Sequence, residues 1–163
     1  MEVDHVAPDA IGSCPECARR GRNVERITVE AMLRPAALAL LADPEHRFCP
    51  TPECEVVYFG RRDRFHRDEV AVPVFQKEPS GGRLACYCFV VGEDDIRQEL
   101  AAGGSSPVVD RITALVRAGR CECEVKNPQG SCCLGNLAAI AKSATAALAA
   151  EASPPATVRT CAE

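Results

Sequence analysis

The sequence has no tryptophan, and aromatic residues of every kind make up only 4% of it. Aromatic side chains bury the most area per residue, so any core here must come mainly from Ala, Leu, Val and Ile. The 163 residues allow one or two domains, and such thin cores gain from a metal staple. Also missing is any run near the roughly 18 apolar residues of a membrane-spanning helix. The opening Met-Glu-Val-Asp-His-Val-Ala-Pro-Asp is acidic and polar, without the apolar centre of a secretory leader, and the expected location is the cytoplasm. Positive charge is not in excess, since the formal net charge is −4. The one basic run, Arg61-Arg-Asp-Arg-Phe-His-Arg67, reads as a solvated hairpin turn. It lacks the extended footprint of a nucleic-acid binder, so no nucleic-acid partner is expected. There is no nucleophile–base pairing, phosphate-cradling Gly loop or paired carboxylate set, and no enzymatic activity is expected.

What the sequence does have is cysteine, eleven in all. Without a leader, thiols in this number read as metal ligands rather than disulfides. The odd count leaves one over, and Cys161 near the end is the candidate. Cys14-Pro-Glu-Cys17 and Phe48-Cys49-Pro-Thr-Pro-Glu-Cys54 together offer four sulfurs for one tetrahedral Zn²⁺. In each, a bent loop brings sulfurs together, and the second loop leads into the β-rich Glu55-Val-Val-Tyr-Phe59. His46 lies three residues before Cys49, but with four thiols at hand it reads as an exposed polar residue. His5 and His66 show no ligand spacing.

The second group is Cys86-Tyr-Cys88 and, further on, Cys121-Glu-Cys123 with Cys132-Cys133. A [2Fe–2S] cluster needs four thiolates from loops held apart by something rigid. Adjacent cysteines seldom serve one cluster together, so one from each later pair is expected. Cys133 is favoured because it leads into a helix. Between Cys121 and Cys123 the residues barely decide, with a lean to Cys123 for the shorter loop. The two spare thiols are either buried or ligands for a soft metal such as Cu(I). An oxidised cluster with its thiolates carries about −2 and calls for N–H donors and positive helix ends. Cys88 is expected just before one helix start and Cys132-Cys133 at another. Gly119, Gly130 and Gly135 are expected to let backbone approach sulfur, and Asn127-Pro-Gln-Gly130 to turn the run back on itself.

Between the cysteines, the alternation of Val24-Glu-Arg-Ile-Thr-Val29 predicts a strand. Arg34-Pro35 opens a short helix that should stop at Asp43-Pro44. Val70-Ala-Val-Pro-Val-Phe75 reads as an edge strand because of Pro73. Gly92-Glu-Asp-Asp begins a helix with acids in its first turn, ending at Gly103-Gly104. Ser106-Pro107 starts another, with Val108, Val109, Ile112, Leu115 and Val116 on one face and a stop at Gly119. Residues 134–150 form an alanine-rich helix with Leu137, Ile140, Ala144 and Leu148 on one side. The fold class expected is α+β. A flexible N-terminus (1–12) precedes a small zinc-ribbon-like domain (13–78), a linker (79–82), a small helical [2Fe–2S]-binding domain (83–150) and a flexible tail (151–163).

From about Cys14 to Leu148 the chain resembles the N-terminal domain of CopZ-type copper chaperones, which joins a zinc portion to a [2Fe–2S] portion like bacterioferritin-associated ferredoxin. The resemblance rests on Cys14-Pro-x-Cys17, Phe48-Cys49-x4-Cys54-Glu-Val-Val-Tyr-Phe59, Cys86-Tyr-Cys88-Phe and Cys121-x-Cys123-Glu-x-x-Asn-Pro-x-Gly-x-Cys132-Cys133-Leu-Gly. It implies zinc on Cys14, Cys17, Cys49 and Cys54, and a cluster on Cys86, Cys88, Cys123 and Cys133. The family's Met-x-Cys-x-x-Cys copper loop does not occur after residue 150, so copper delivery itself is not carried over. The function expected is an iron–sulfur and zinc protein of metal homeostasis, for copper or a similar soft metal. It would act in electron transfer or as an accessory metal carrier, beside a copper-transporting ATPase or a separate copper chaperone. The alternative is a zinc-ribbon adaptor or sensor, docking a protein or nucleic acid according to the state of the cluster.

Overall fold

The computed structural model describes residues 11–152. His5, Cys161, residues 1–10 of the expected flexible N-terminus and 153–163 of the expected flexible tail lie outside the described residues. The first half is an antiparallel sheet of four short strands in sequential order: β1 (Arg22–Val24), β2 (His46–Phe48), β3 (Val56–Phe59) and β4 (Arg64–His66). Two helices, α1 (Arg26–Met32) and α2 (Pro35–Leu38), lie between β1 and β2. The second half begins with a two-stranded ribbon, β5 (Leu84–Cys86) and β6 (Val91–Gly92). It continues with α3 (Glu93–Gly103), α4 (Pro107–Arg117), the single turn α5 (Cys123–Lys126) and α6 (Leu134–Ala152). The architecture is mixed α and β, in keeping with the expected class.

Each half buries its own apolar set. In the first, Val29, Phe48, Val57, Tyr58 and Phe65 are 0–1% exposed and pack with Val24, Met32, Leu33 and Val74. In the second, α3, α4 and α6 close on Ile96, Ile112, Leu137 and Ile140, each 0–2% exposed. The helix boundaries of this half follow the local chemistry. The Gly92 N–H donates to Asp95 Oδ2 at 2.8 Å ahead of α3. Gly104 ends α3 in the left-handed region at φ 69°, and Gly119 does the same after α4.

Three expectations for the first half fail. The helix opened by Pro35 stops at Leu38, well short of Asp43-Pro44. The strand expected through Val29 stops at Val24, and α1 begins at Arg26. Thr28, Val29, Met32 and Leu33 are buried together at helical spacing while Ile27 is 52% exposed, so a helix buries the set that a strand would split between two faces. The run from Val70 to Phe75 is not an edge strand. Val70 makes a single bridge to Leu33, and the chain then turns into a 3₁₀ helix at Phe75–Lys77. Val70 and Val74 reach the core without a ladder.

Candidate metal centres

Cys14 and Cys17 sit in a tight turn. The Ala18 N–H donates to Cys14 O at 2.9 Å and the Cys14 N–H to Arg19 O at 2.8 Å. Cys49 follows β2 and Cys54 precedes β3, and the Cys49 N–H donates to Val57 O at 2.8 Å. The four sulfurs lie within 4.8 Å of one another. Cys14 Sγ is 3.8 Å from Cys54 Sγ, and Cys17 Sγ is 3.6 Å from Cys49 Sγ. A tetrahedron with Zn–S bonds of about 2.3 Å has edges of about 3.8 Å, so the donor set fits zinc. Burial pushes the Cys17 thiol up, but hydrogen bonds outweigh it, led by the Thr51 hydroxyl 3.3 Å away, and bring it down to about 6. Burial instead drives Cys54 up to about 12.

Lys77 completes this site and carried no signal in the sequence. It is 4% exposed, and Nζ donates to Thr51 O at 2.8 Å and to Cys54 O at 2.7 Å. Four thiolates around Zn²⁺ leave a net −2, and a buried ammonium beside them offsets part of it. Its charge also acts to lower Cys49, although burial leaves that thiol raised.

Asp43, His46 and Asp63 form a second convergent group. His46 is not the exposed residue expected; it is 4% exposed, with Nε2 3.1 Å from Asp63 Oδ1 and none of the zinc cage's sulfurs as its partner. Asp43 accepts from Arg62 Nε and from the Arg62 and Asp63 N–H groups, while Asp63 Oδ2 accepts from the Ala42 and Asp43 N–H groups. With these lone pairs taken, the group reads as a clasp on the β3–β4 turn. His66 lies 2.9 Å from Glu16 and 3.3 Å from Glu69.

The second set of sulfurs converges where two loops meet. Cys86 ends β5, Cys88 is in the turn to β6, Cys123 opens α5 and Cys133 directly precedes α6. Cys133 Sγ is 3.0 Å from Cys86 Sγ, and Cys88 Sγ is 3.6 Å from Cys123 Sγ. Backbone N–H groups point at these sulfurs: Glu122 at Cys88 (3.3 Å), Phe89 and Cys88 at Cys86, and Cys133 at Cys123. Hydrogen bonding from Cys133 overcomes burial and lowers Cys123 to about 5 and Cys86 to about 7. Cys121 is half-buried within hydrogen-bond reach of Cys123, and Cys132 is exposed. Three details differ from expectation. Cys88 lies in the β5–β6 turn rather than at a helix start. Gly119 and Gly135 touch nothing a Cβ would meet, and Gly130 approaches Val24 and Thr28 rather than sulfur.

Residues 11–71 match the family model of the CopZ zinc binding domain. Over these residues the chain is similar to a CopZ-type zinc-binding domain. The four-cysteine cage lies wholly within the matched residues. The chain is also similar to the copper chaperone CopZ of Archaeoglobus fulgidus, 31% identical over 121 residues, which cover 74% of this chain and 57% of the relative. The chain thus spans little more than half the length of that protein. The X-ray structure of the A. fulgidus CopZ N-terminal domain superposes with a TM-score of 0.65 at 29% identity, covering 78% of this chain and 96% of that one. The mixed sheet-and-helix architecture is therefore shared with a CopZ N-terminal domain. Among the described residues no helix is long and apolar enough to cross a membrane.

Proposed function

We propose that this CopZ-type protein carries a [2Fe–2S] cluster on Cys86, Cys88, Cys123 and Cys133 beside its zinc site. In this reading it serves copper homeostasis in the cytoplasm as an electron-transfer or accessory metal-trafficking module, not as an enzyme. The observation that carries the reading is the second cage: four thiols in two close pairs, Cys86 with Cys133 and Cys88 with Cys123, ringed by N–H donors. Four thiolates in two pairs suit two iron ions, and converging amides suit the negative charge of a cluster. When bound, such a cluster supplies one-electron transfer. Cys86, Cys88, Cys123 and Cys133 would hold it at the junction of β5, α5 and α6, where Cys88 is half-buried. Cys121 and Cys132 stay outside the four and remain free to meet a soft ion such as Cu(I). Copper enters through the named relative, a copper chaperone. It makes a copper-transporting ATPase or a separate copper chaperone the expected partner.

The test is metal and acid-labile sulfide analysis of protein purified without oxygen, with visible spectra before and after dithionite. About two irons, two sulfides and one zinc per chain, with bleaching on reduction, are expected. Zinc without sulfide after attempted reconstitution would overturn the cluster and leave a zinc protein with a thiol-rich soft-metal site.

A further inference from the structure

Cys123 and Cys133 are part of the helical core, but the loop between them also rests on the half that holds the four-cysteine cage. The Thr28 hydroxyl on α1 donates to Glu124 O at 2.6 Å, and the Tyr58 hydroxyl on β3 donates to Pro128 O at 2.6 Å. Thr28, Tyr58, Pro128 and Gln129 are buried. Gly130, at φ 66°, lies so close that a Cβ there would come within 2.9 Å of Val24 Cγ2 and 3.1 Å of Thr28 Oγ1. The side chain of Gln76 hydrogen-bonds that of Gln129, which turns back to Ser131 O and Cys132 O. Within the loop, the Gly130 N–H closes a turn on Asn127 O at 2.8 Å, and Asn127 Nδ2 reaches Ser131 O at 2.8 Å.

The floor under this loop is continuous with the zinc cage. Tyr58 is four residues past Cys54 on the same chain run, and the residue before it, Val57, accepts the Cys49 N–H. Lys77 ties the 51–54 loop to the 3₁₀ helix that precedes the second half. We propose that the zinc-loaded sheet templates the cluster loop. Tyr58 and Thr28 are positioning residues that fix the Pro128 and Glu124 carbonyls, and thereby set Cys123 and Cys133 against Cys86 and Cys88. Burial holds the Tyr58 hydroxyl protonated far above neutral pH, so it remains a donor. Zinc then acts on the second site without touching it, by keeping β2 and β3 in register. The cluster part of this inference rests on the function proposed above; the loop part does not.

The experiment compares the full chain with Tyr58→Phe and Thr28→Val, both close in shape, each checked for one zinc per chain. Amide hydrogen exchange in residues 124–132 is expected to quicken about tenfold in each variant, the size expected for one buried hydrogen bond, while α3 and α4 keep wild-type rates. Stripping zinc from the wild type with a chelator is expected to quicken the same segment. In anaerobic, cluster-loaded protein, iron release to a chelator should speed up by a similar factor and the visible circular dichroism of the cluster should change. Wild-type exchange in 124–132 for both zinc-loaded variants would overturn the positioning roles, and wild-type exchange after zinc removal would overturn the link to zinc. If Tyr58→Phe does not fold, Thr28→Val and Gly130→Ala decide alone. A wild type without sulfide sinks the cluster reading and leaves the exchange measurement still deciding the loop.

Discussion

Glu93 shows how a single charge is made tolerable inside this protein. It is fully buried at the start of α3, and it accepts from Arg97 at 2.9 and 2.6 Å, from Arg83 and from the Gly81 N–H at 3.2 Å. Burial alone would raise its carboxyl, but these donors win and hold it below the usual value. A carboxyl depressed in the folded state stabilises above its unfolded value near 4.3, and that contribution disappears as pH falls through the folded value. Glu93→Gln leaves two guanidinium groups facing an amide. Urea unfolding at pH 7 should show a loss of about 3 kcal/mol, and the decline in stability below about pH 4 should flatten. An unchanged midpoint at pH 7 would mean the arginines find equal partners elsewhere.

The cysteines divide at the same scale. Cys133 is fully buried and 3.0 Å from Cys86, whereas its neighbour Cys132 is exposed. Cys133→Ser and Cys86→Ser should each abolish visible absorption with zinc still near one per chain, while Cys132→Ser and Cys121→Ser should keep the colour. A colourless Cys121→Ser with a coloured Cys123→Ser would exchange those two roles.

At the level of elements, the three long helices of the second half were legible while the single turn α5 was not, because the boundaries of α3 and α4 are local. Acids and a capping Asp95 open α3, Pro107 opens α4, and Gly104 and Gly119 close them. The convergence of the four cysteines of the first half was legible for the same reason, since each knuckle is a few residues long. What could not be read was long-range. Whether residues 24–29 form strand or helix depends on the surface they meet, and that surface comes from β2, β3 and β4 further along. Lys77, His46 and the Tyr58–Pro128 contact likewise depend on partners 17 to 70 residues away. The packing of α6 on α3 is the element contact that most concentrates the helical core. Leu137→Ala, at a fully buried position, should lower stability by about 3 kcal/mol, read as a shift in the urea midpoint without a change in slope. A loss below about 1 kcal/mol would show that the neighbouring alanines of α6 collapse into the space.

For the molecule as a whole, the weak point is the first half. Its four strands are three or four residues long, shorter than the usual five or six, and one largely buried sulfur cage joins the turn before β1 to the β2–β3 loop. The second half has three helices of eleven or more residues around its own apolar set. A metal that binds only the folded chain contributes its binding free energy to stability, and for small structural zinc sites that contribution is large. Removing zinc, by chelation or by Cys49→Ser, should therefore act unequally. Amide protection in β1–β4 should collapse and Tyr58 should become accessible, while α3, α4 and α6 keep most of the far-ultraviolet helical signal. Calorimetry should then show the single transition of the zinc-loaded protein replaced by a weaker one from the helical half. Loss of sheet and helices together would mean that the Thr28–Glu124 and Tyr58–Pro128 contacts bind the two cores into one cooperative unit, and that zinc stabilises all of it.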